Sequence, residues 1–255
     1  MNEAPALGYR TEELLAAVLA RRIQGVRHVA VGAASPIPAT AALLAQKQSP
    51  ERMQVTILHS RRHNAFTDGG RELFDCAGQG RIDVFFLGGV EIDGEANINL
   101  VGLGHYPNLT RRFPGSFGSA YMYFVVPRVI LFREEHSRRT LVQRVEFISA
   151  PGTSPANVYR PGGPTALVTN LAVMAFDRGR KRFRLESVHP GHTLEEVLDN
   201  TGFDIDLARP VPATKPPEAG ALALIRGPIA ASLHAFYPEF AARVFADEQP
   251  RAQSA

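Results

Sequence analysis

Residues 54–66 read QVTILHSRRHNAF, and the abrupt change of character inside them is the first place to look for chemistry. The apolar run 55–58 reads as a buried strand, and it ends directly in His59, Ser60, Arg61, Arg62 and His63. Open α/β sheets place their ligands beyond the carboxyl ends of strands, so polar groups crowded there suggest a site. Two imidazoles four residues apart suit a metal when they share one helix face. Here the spacing falls across a strand end and a loop with no third ligand in view, so no metal is expected. Neither a GxSxG turn nor a Ser/His pair of recognised spacing occurs, which disfavours a serine hydrolase. Arg61 and Arg62, like the arginine pairs at 111–112 and 138–139, read mostly as solvated surface, although such a pair can meet a phosphate-bearing cofactor.

Two glycine-rich segments are the other candidates. In GGVEIDGEANIN (88–99), Gly88 and Gly89 let the backbone bend or approach a ligand closely, and Asp93-Gly94 signals a tight turn. Asn97 and Asn99 fall on the same side of a returning strand, so the segment is either a ligand loop or a β-hairpin whose asparagines complete its turn. In RRFPGSFGSA (111–120), the run Gly115, Ser116, Phe117, Gly118, Ser119 can aim backbone N–H groups at an anion or a developing oxyanion. It matches neither a Walker loop nor GxGxxG, and a mobile surface loop is the competing reading.

The elements that must position these residues follow from periodicity. Thr11 before Glu12 and Glu13 predicts a helix start, and Leu14, Leu15, Val18, Leu19 and Ile23 continue it as an amphipathic helix ending near Gly25. Residues 28–32 predict a buried strand, followed by a loop through Ser35, Pro36, Ile37 and Pro38, and then a helix over 39–46. A strand at 55–58, a helix at 71–77 and a strand at 83–87 complete an alternation that argues for a mostly parallel sheet covered by helices. Ser35, Pro36 and Ile37 therefore also sit beyond a strand end. Short β-rich runs at 123–126, 129–132, 142–148, 166–169, 173–176 and 183–187 predict a mixed or antiparallel extension of that sheet. A last helix is expected after Pro217, through 222–225, and 246–255 reads as a disordered tail. No linker forces a boundary, so residues 1–255 are expected to form one domain.

Composition narrows the function classes. A formal net charge of +3 with scattered basic residues is not the clustered footprint of a nucleic-acid binder. Cys76 is the only cysteine, so neither a disulfide framework nor a thiolate metal cluster is available. No run is long enough to span a bilayer, and the first ten residues lack a signal-peptide core, so a cytoplasmic location without membrane association is expected.

Taken jointly, the segments resemble the β subunit of class I coenzyme A transferases of the glutaconate type. In HPGHTLEEVLDNTGFDIDL (189–207), Pro190, Glu195, Glu196, Val197, Asn200, Thr201, Gly202 and Phe203 fit the family pattern. Gly88-Gly89, Ile92-Asp93 and Asn97-Ile98-Asn99 resemble its GG-x-x-I/V-D-x-x-G-N-x-N stretch, with Ala96 in place of the usual glycine. Residues 29–45 are similar to its first strand–loop–helix and 146–152 to its V-x-x-x-T/S-x-P/G segment, so the resemblance runs from about Thr11 to Arg226.

The resemblance implies an open, mostly parallel α/β sheet layered by helices, of the kind shared with sugar-phosphate isomerase-like proteins, with a β-rich second half. It also implies a CoA-transferase-like α subunit as partner, in a heterodimer or heterotetramer. The substrate would be an acyl-CoA thioester, with a carboxylic acid as acceptor and no permanently bound cofactor. In the family's transferases a glutamate attacks the thioester, and in the glutaconate type that glutamate ends the strand equivalent to 55–58. This chain has His59 there, and the next glutamate, Glu72, falls on a predicted helix. Either an imidazole acts as general base for water, favouring hydrolysis over transfer, or His59 only lines a pocket and the partner supplies the carboxylate. Relatives that hydrolyse CoA thioesters of steroid-ring fragments resemble the second arrangement. A non-catalytic, stabilising subunit is a further alternative. Residues 115–119 align with the family's glycine loop against the thioester, with Phe117 at a glycine position. Phe117, Tyr121 and Phe124 would suit a bulky apolar acyl group.

Overall fold

A computed structural model describes residues 8–208 and 210–245. The chain forms two compact units, one from Met1–Ala65 and Pro216–Ala255, the other from Phe66–Lys215.

The first unit begins with helix α1, Thr11–Arg22. Arg10, not Thr11, is its N-cap, and the Glu13 carboxylate accepts the Arg10 N–H at 2.8 Å. Residues 13–20 are buried almost all round, because three alanines join the predicted leucine and valine stripe and let neighbours close in on every side. Strands β1 (His28–Val31) and β2 (Gln54–Ile57) pair in parallel, His28 opposite Gln54 and Val31 opposite Ile57. Helix α2, Pro36–Gln48, crosses between them and starts earlier than expected. Its first residue is a proline, whose missing N–H is an orphan at a helix start in any case.

The second unit opens with α3 (Gly69–Gly78) and β3 (Val84–Leu87). Two hairpins follow, β4 (Glu91–Ile92) with β5 (Ile98–Asn99), and β6 (Gly102–His105) with β7 (Asn108–Arg112). Then come α4 (Ser119–Val125), β8 (Arg128–Phe132), β9 (Pro164–Val168), β10 (Ala172–Asp177), β11 (Arg182–Val188), α5 (Leu194–Asp199) and β12 (Asp206–Leu207). In the unit's sheet β3, β8 and β9 run parallel, β9, β10 and β11 form an antiparallel meander, and β12 pairs parallel to β11. The expected α/β class with a mixed β-rich extension is therefore what forms.

Two predicted strands are corrected. Residues 123–126 lie in and just after α4, where the aromatic and β-branched residues have helical spacing: Ser119, Met122, Tyr123 and Val126 are buried. Residues 142–148 are irregular: Val142 N–H donates to Ile92 O of β4 at 2.9 Å, and beyond it the backbone turns to buried carboxylates. Glu146 N–H donates to Glu91 at 2.9 Å and Val145 N–H to Asp93 at 3.4 Å.

The chain then returns to the first unit as α6 (Ala219–Leu224), a π-helical turn (Ile225–Ile229) holding Pro228, α7 (Ala230–Leu233) and α8 (Pro238–Phe245). Proline inside a helix removes one i→i−4 bond, and a π turn absorbs that loss. Arg226, within this turn, grips Glu13 of α1 through two bonds of 2.7 and 3.0 Å. The expected tail at 246–255 lies outside the described residues.

Candidate active site

In the first unit the two parallel strands present their carboxyl ends side by side. After β1 the chain passes Gly32 to Ser35 and enters α2, so Ser35 and Pro36 are half-buried at the helix start while Ile37 is fully buried. After β2 the chain folds back sharply. Ser60 N–H donates to Ile57 O at 2.9 Å, Ile57 N–H donates to His63 O at 2.9 Å, and the buried Ser60 hydroxyl accepts the His63 N–H at 3.1 Å. These bonds satisfy the inner face of the turn and leave His59 exposed at its tip.

The His59 ring is held nonetheless. It stacks on Tyr237, with centroids 5.2 Å apart and planes inclined by 8°. The Tyr237 hydroxyl donates to Ala33 O at 2.7 Å and lies 3.5 Å from the Ser35 amide. Burial raises its pKa, an effect the Ser35 N–H partly opposes, so the phenol stays a donor. Tyr237 thus brings Ser35 and His59 to one aromatic ring. Among the described residues neither ring nitrogen of His59 has a hydrogen-bond partner, so both are open to a ligand. Sequence reading missed Tyr237. Its signal was an aromatic pair, Phe236-Tyr237, standing directly before a proline that starts a helix.

His63 takes a different course. Its Nε2 lies 3.1 Å from the Ser232 hydroxyl and its ring meets Phe236 edge-on at 5.8 Å. Burial, and then the Arg62 charge, lower its pKa, so the side chain favours the neutral state. The two imidazoles do not converge on a common ligand, and no set of three or more His, Cys, Asp or Glu suited to a metal occurs among the described residues.

In the second unit, 88–99 forms the hairpin that the sequence allowed. Gly88 and Gly89 are needed for close backbone approach: a Cβ would stand 2.9 Å from Phe132 O at the first and 2.5 Å from Glu91 O at the second. Asn99 is fully buried and uses its whole amide. Nδ2 donates to Glu91 and to Gly102 O, both at 2.8 Å, and Oδ1 accepts from Val101 and Gly102 at 3.0 and 3.3 Å. Asn97, also buried, bonds to Asp93 and accepts the Gly152 N–H at 3.0 Å. Ala96, at the family's glycine position, has φ +61°, so the glycine conformation persists without the glycine.

The same holds at the glycine loop. Phe117 has φ +44° and its side chain is 86% exposed. It leans on Phe74 at 5.4 Å, and Tyr121 meets that ring edge-on at 5.8 Å. Gly118 makes room for the pair, since a Cβ there would collide with the Phe74 ring. Within the loop the Ser119 N–H is consumed by Ser116 O at 2.7 Å, and Gly115 adopts φ +99°. Phe124 turns from this group and lies under the Arg160 guanidinium at 5.6 Å. Glu72 caps its own helix, accepting N–H bonds from Thr67 at 2.7 Å and Asp68 at 3.2 Å, and those bonds lower its pKa.

The segment 189–207 is a packing element. His189 bonds to Thr214 at 2.8 Å and to Thr169 O at 2.9 Å, and Thr201 bonds to His136 at 2.9 Å. A Cβ on Gly202 would strike Leu141 O, and Phe203 packs over Gly94 of the hairpin.

A family model described as coenzyme A transferase matches residues 13–200. The β subunit of the 3-oxoadipate CoA-transferase of Pseudomonas knackmussii is 35% identical over 153 residues, 58% of each chain. The β subunit of the glutaconate CoA-transferase of Acidaminococcus fermentans is 31% identical over 150 residues, 56% of this chain and 55% of the relative. The IpdB subunit of the cholesterol ring-cleaving hydrolase of Rhodococcus jostii is 31% identical over 160 residues, 61% of this chain and 62% of the relative. Each match thus spans less than two thirds of the relative. The crystal structure of R. jostii IpdAB superposes with a TM-score of 0.76 and 25% identity, over 86% of this chain and 93% of that one. Among the described residues no helix is long and apolar enough to cross a membrane.

Proposed function

The chain belongs to the coenzyme A transferase family, and from that premise we propose that it is the β subunit of a heteromeric enzyme acting on an acyl-CoA thioester, moving CoA between carboxylic acids. The observation that carries the reading is the coenzyme A transferase match over residues 13–200, and His59, an exposed imidazole at the carboxyl end of β2 held on Tyr237, stands at the position where the family resemblance puts the nucleophilic glutamate. The named transferase subunits that the chain resembles support the partner and the substrate class. The transferring carboxylate then comes from the partner, and His59 and Ser35 line the pocket. Within the second unit, Gly115, Ser116, Phe117 and Gly118 are proposed as substrate contacts of their own loop, and Gly88, Gly89, Asn97 and Asn99 are proposed to act through the hairpin backbone that they fix. The family match runs through both compact units, which supports taking them as one catalytic domain, and the enzyme is placed in the cytoplasm.

A second reading is hydrolysis, and the imidazole itself favours it. His59 would take a proton from water as its oxygen bonds to the thioester carbonyl. The C–S bond would then break and the proton would pass to the departing thiolate, giving free acid and CoA. Isolation of the tagged chain from its native cells, followed by acyl-CoA turnover with and without an added carboxylic acid, tests both readings. A stoichiometric partner of related fold and acceptor-dependent turnover support transfer. Free CoA without acceptor supports hydrolysis. Recovery of the chain alone, without turnover, rejects both.

A further inference from the structure

The segment 189–207 packs inward through His189, Thr201 and Gly202, but its outer side has no part in the site described above. There, within the second unit, a cleft of about 660 Å³ opens between the end of α5, the turn before β12, the start of β11 and the loop 138–143. Leu198, Phe203 and Ile205 give it an apolar wall, and Leu198 is one of the large hydrophobic side chains left exposed. Phe203 is fixed in that wall by its stack on Phe183 at 5.6 Å.

The charged groups of the cleft are tethered but not matched. Arg138 Nε donates to the Asp199 carbonyl at 2.6 Å, and Arg182 Nε lies 3.4 Å from Asp206 Oδ1, so each guanidinium is held through one nitrogen. Among the described residues the Nη groups of both arginines have no partner, whereas Arg139, next along the chain, is tied to Glu135. Asp204 lines the same cleft with an exposed carboxylate, and among the described residues it has no cationic partner either.

These groups select a ligand by its charges. A dianion drawn to the two guanidiniums would also meet Asp204 and Asp206, and a simple cation drawn to Asp204 would meet the guanidiniums. A zwitterion satisfies all three: its carboxylate accepts from the planar Nη forks and its ammonium donates to Asp204. The wall of Leu198, Phe203 and Ile205 then calls for an apolar side chain between those ends. We propose that this cleft binds a free α-amino acid with a bulky apolar side chain, its carboxylate toward Arg138 and Arg182 and its ammonium toward Asp204. The cleft has the volume of a small-molecule site. The proposal rests on the second unit alone and does not depend on the acyl-CoA reading.

The test is calorimetric titration of the full chain, in whatever complex it is isolated, with L-leucine as probe. Two analogues accompany it: isocaproate, which lacks the ammonium, and isoamylamine, which lacks the carboxylate. The wild type is expected to bind leucine saturably and each analogue about tenfold or more weakly, because each leaves a charged group of the cleft unmatched. Free L-alanine should also bind more weakly than leucine, since it leaves the apolar wall uncovered. Asp204→Asn changes an exposed side chain that has no bond to lose, so folding should be intact. It should weaken leucine by about tenfold or more and narrow the gap between leucine and isocaproate. Arg138→Gln should weaken leucine and isocaproate alike. Leucine binding should persist in His59→Ala. No saturable leucine binding to the wild type, or binding unaltered by Asp204→Asn or by Arg138→Gln, overturns the proposal. Either analogue binding as tightly as leucine overturns the zwitterion assignment. Leucine binding lost in His59→Ala places the ligand at the end of β2 and overturns the proposal as well.

Discussion

Lowering the pH should unlock the second unit through one buried imidazole. His136 is 6% exposed, with Nδ1 2.8 Å from the Thr169 hydroxyl and Nε2 2.9 Å from the Thr201 hydroxyl. Burial lowers its pKa from 6.5 to about 4, outweighing the Val197 backbone and Glu196, which raise it, while His189 and His192 add the smallest lowering effects. The folded pKa is therefore depressed, so between these two values the unfolded chain binds more protons than the native one, and stability falls with falling pH. One site with those two pKa values costs about 2 kcal/mol by pH 5 and about 3 kcal/mol by pH 4, and almost nothing at pH 7.5. Glu135, the adjacent acid, has its pKa lowered to about 2, first by its bond to Arg139, so it stays ionised throughout this window. Urea denaturation of wild type and His136→Gln at several pH values isolates the effect, because other acids titrate in both. The variant should be less stable at pH 7.5, and the gap should close by about 3 kcal/mol toward pH 4. A constant gap, or a His136 signal that titrates near 6.5 in NMR spectra of the folded protein, would refute the reasoning.

Removing the partner of a buried charge should be costly. Arg226→Ala leaves Glu13 buried beneath the π-helical turn and should destabilise by about 3–5 kcal/mol in denaturant titrations, whereas Glu13→Gln with Arg226 retained should cost less. Asn99→Ala removes the amide bonds to Glu91, which keeps only the Glu146 N–H, and to Gly102 O, and should cost about 2–3 kcal/mol by the same measurement. Gly118→Ala should push Phe74 aside at a cost of about 1–3 kcal/mol, and Phe74→Ala in the same chain should remove most of that penalty in a double-mutant cycle. Tyr237→Leu should lower acyl-CoA turnover far more than Tyr237→Phe, since the phenylalanine keeps the stack under His59; equal losses would show that the hydroxyl is what matters.

The parts of the fold legible in the sequence are those whose pattern reports burial alone. The runs at 28–32, 55–58 and 83–87, and the meander through 166–187, are apolar and short enough to be strands, and strands form there. Residues 119–126 mislead because Tyr, Phe and Val favour strands, although the spacing of Ser119, Met122, Tyr123 and Val126 already carries the helical period. Residues 142–148 look like a strand, but past Val142, which bonds to Ile92 O of β4, Val145 and Glu146 meet side-chain carboxylates, and nothing local announces that. The site shows the same division. The strand end at His59 is visible within a short stretch of chain, whereas Tyr237 reaches it from far along the sequence. Ala96 and Phe117 read as departures from a glycine pattern, and only their positive φ values show that the backbone shape is retained.

If the reacting thioester meets the carboxyl end of β2, turnover must depend on His59. The direct measurement is acyl-CoA consumption by the isolated complex carrying wild-type chain or His59→Ala, with parallel determination of free CoA and transferred CoA. Because His59 is exposed, its removal should leave folding intact. Turnover is expected in the wild type, with a loss of roughly tenfold carried mainly by KM in the variant, as for a residue that lines the pocket. A loss of about 100-fold or more in kcat marks instead the general base of the hydrolytic reading. Equal rates in the two complexes would contradict that placement and move the chemistry elsewhere.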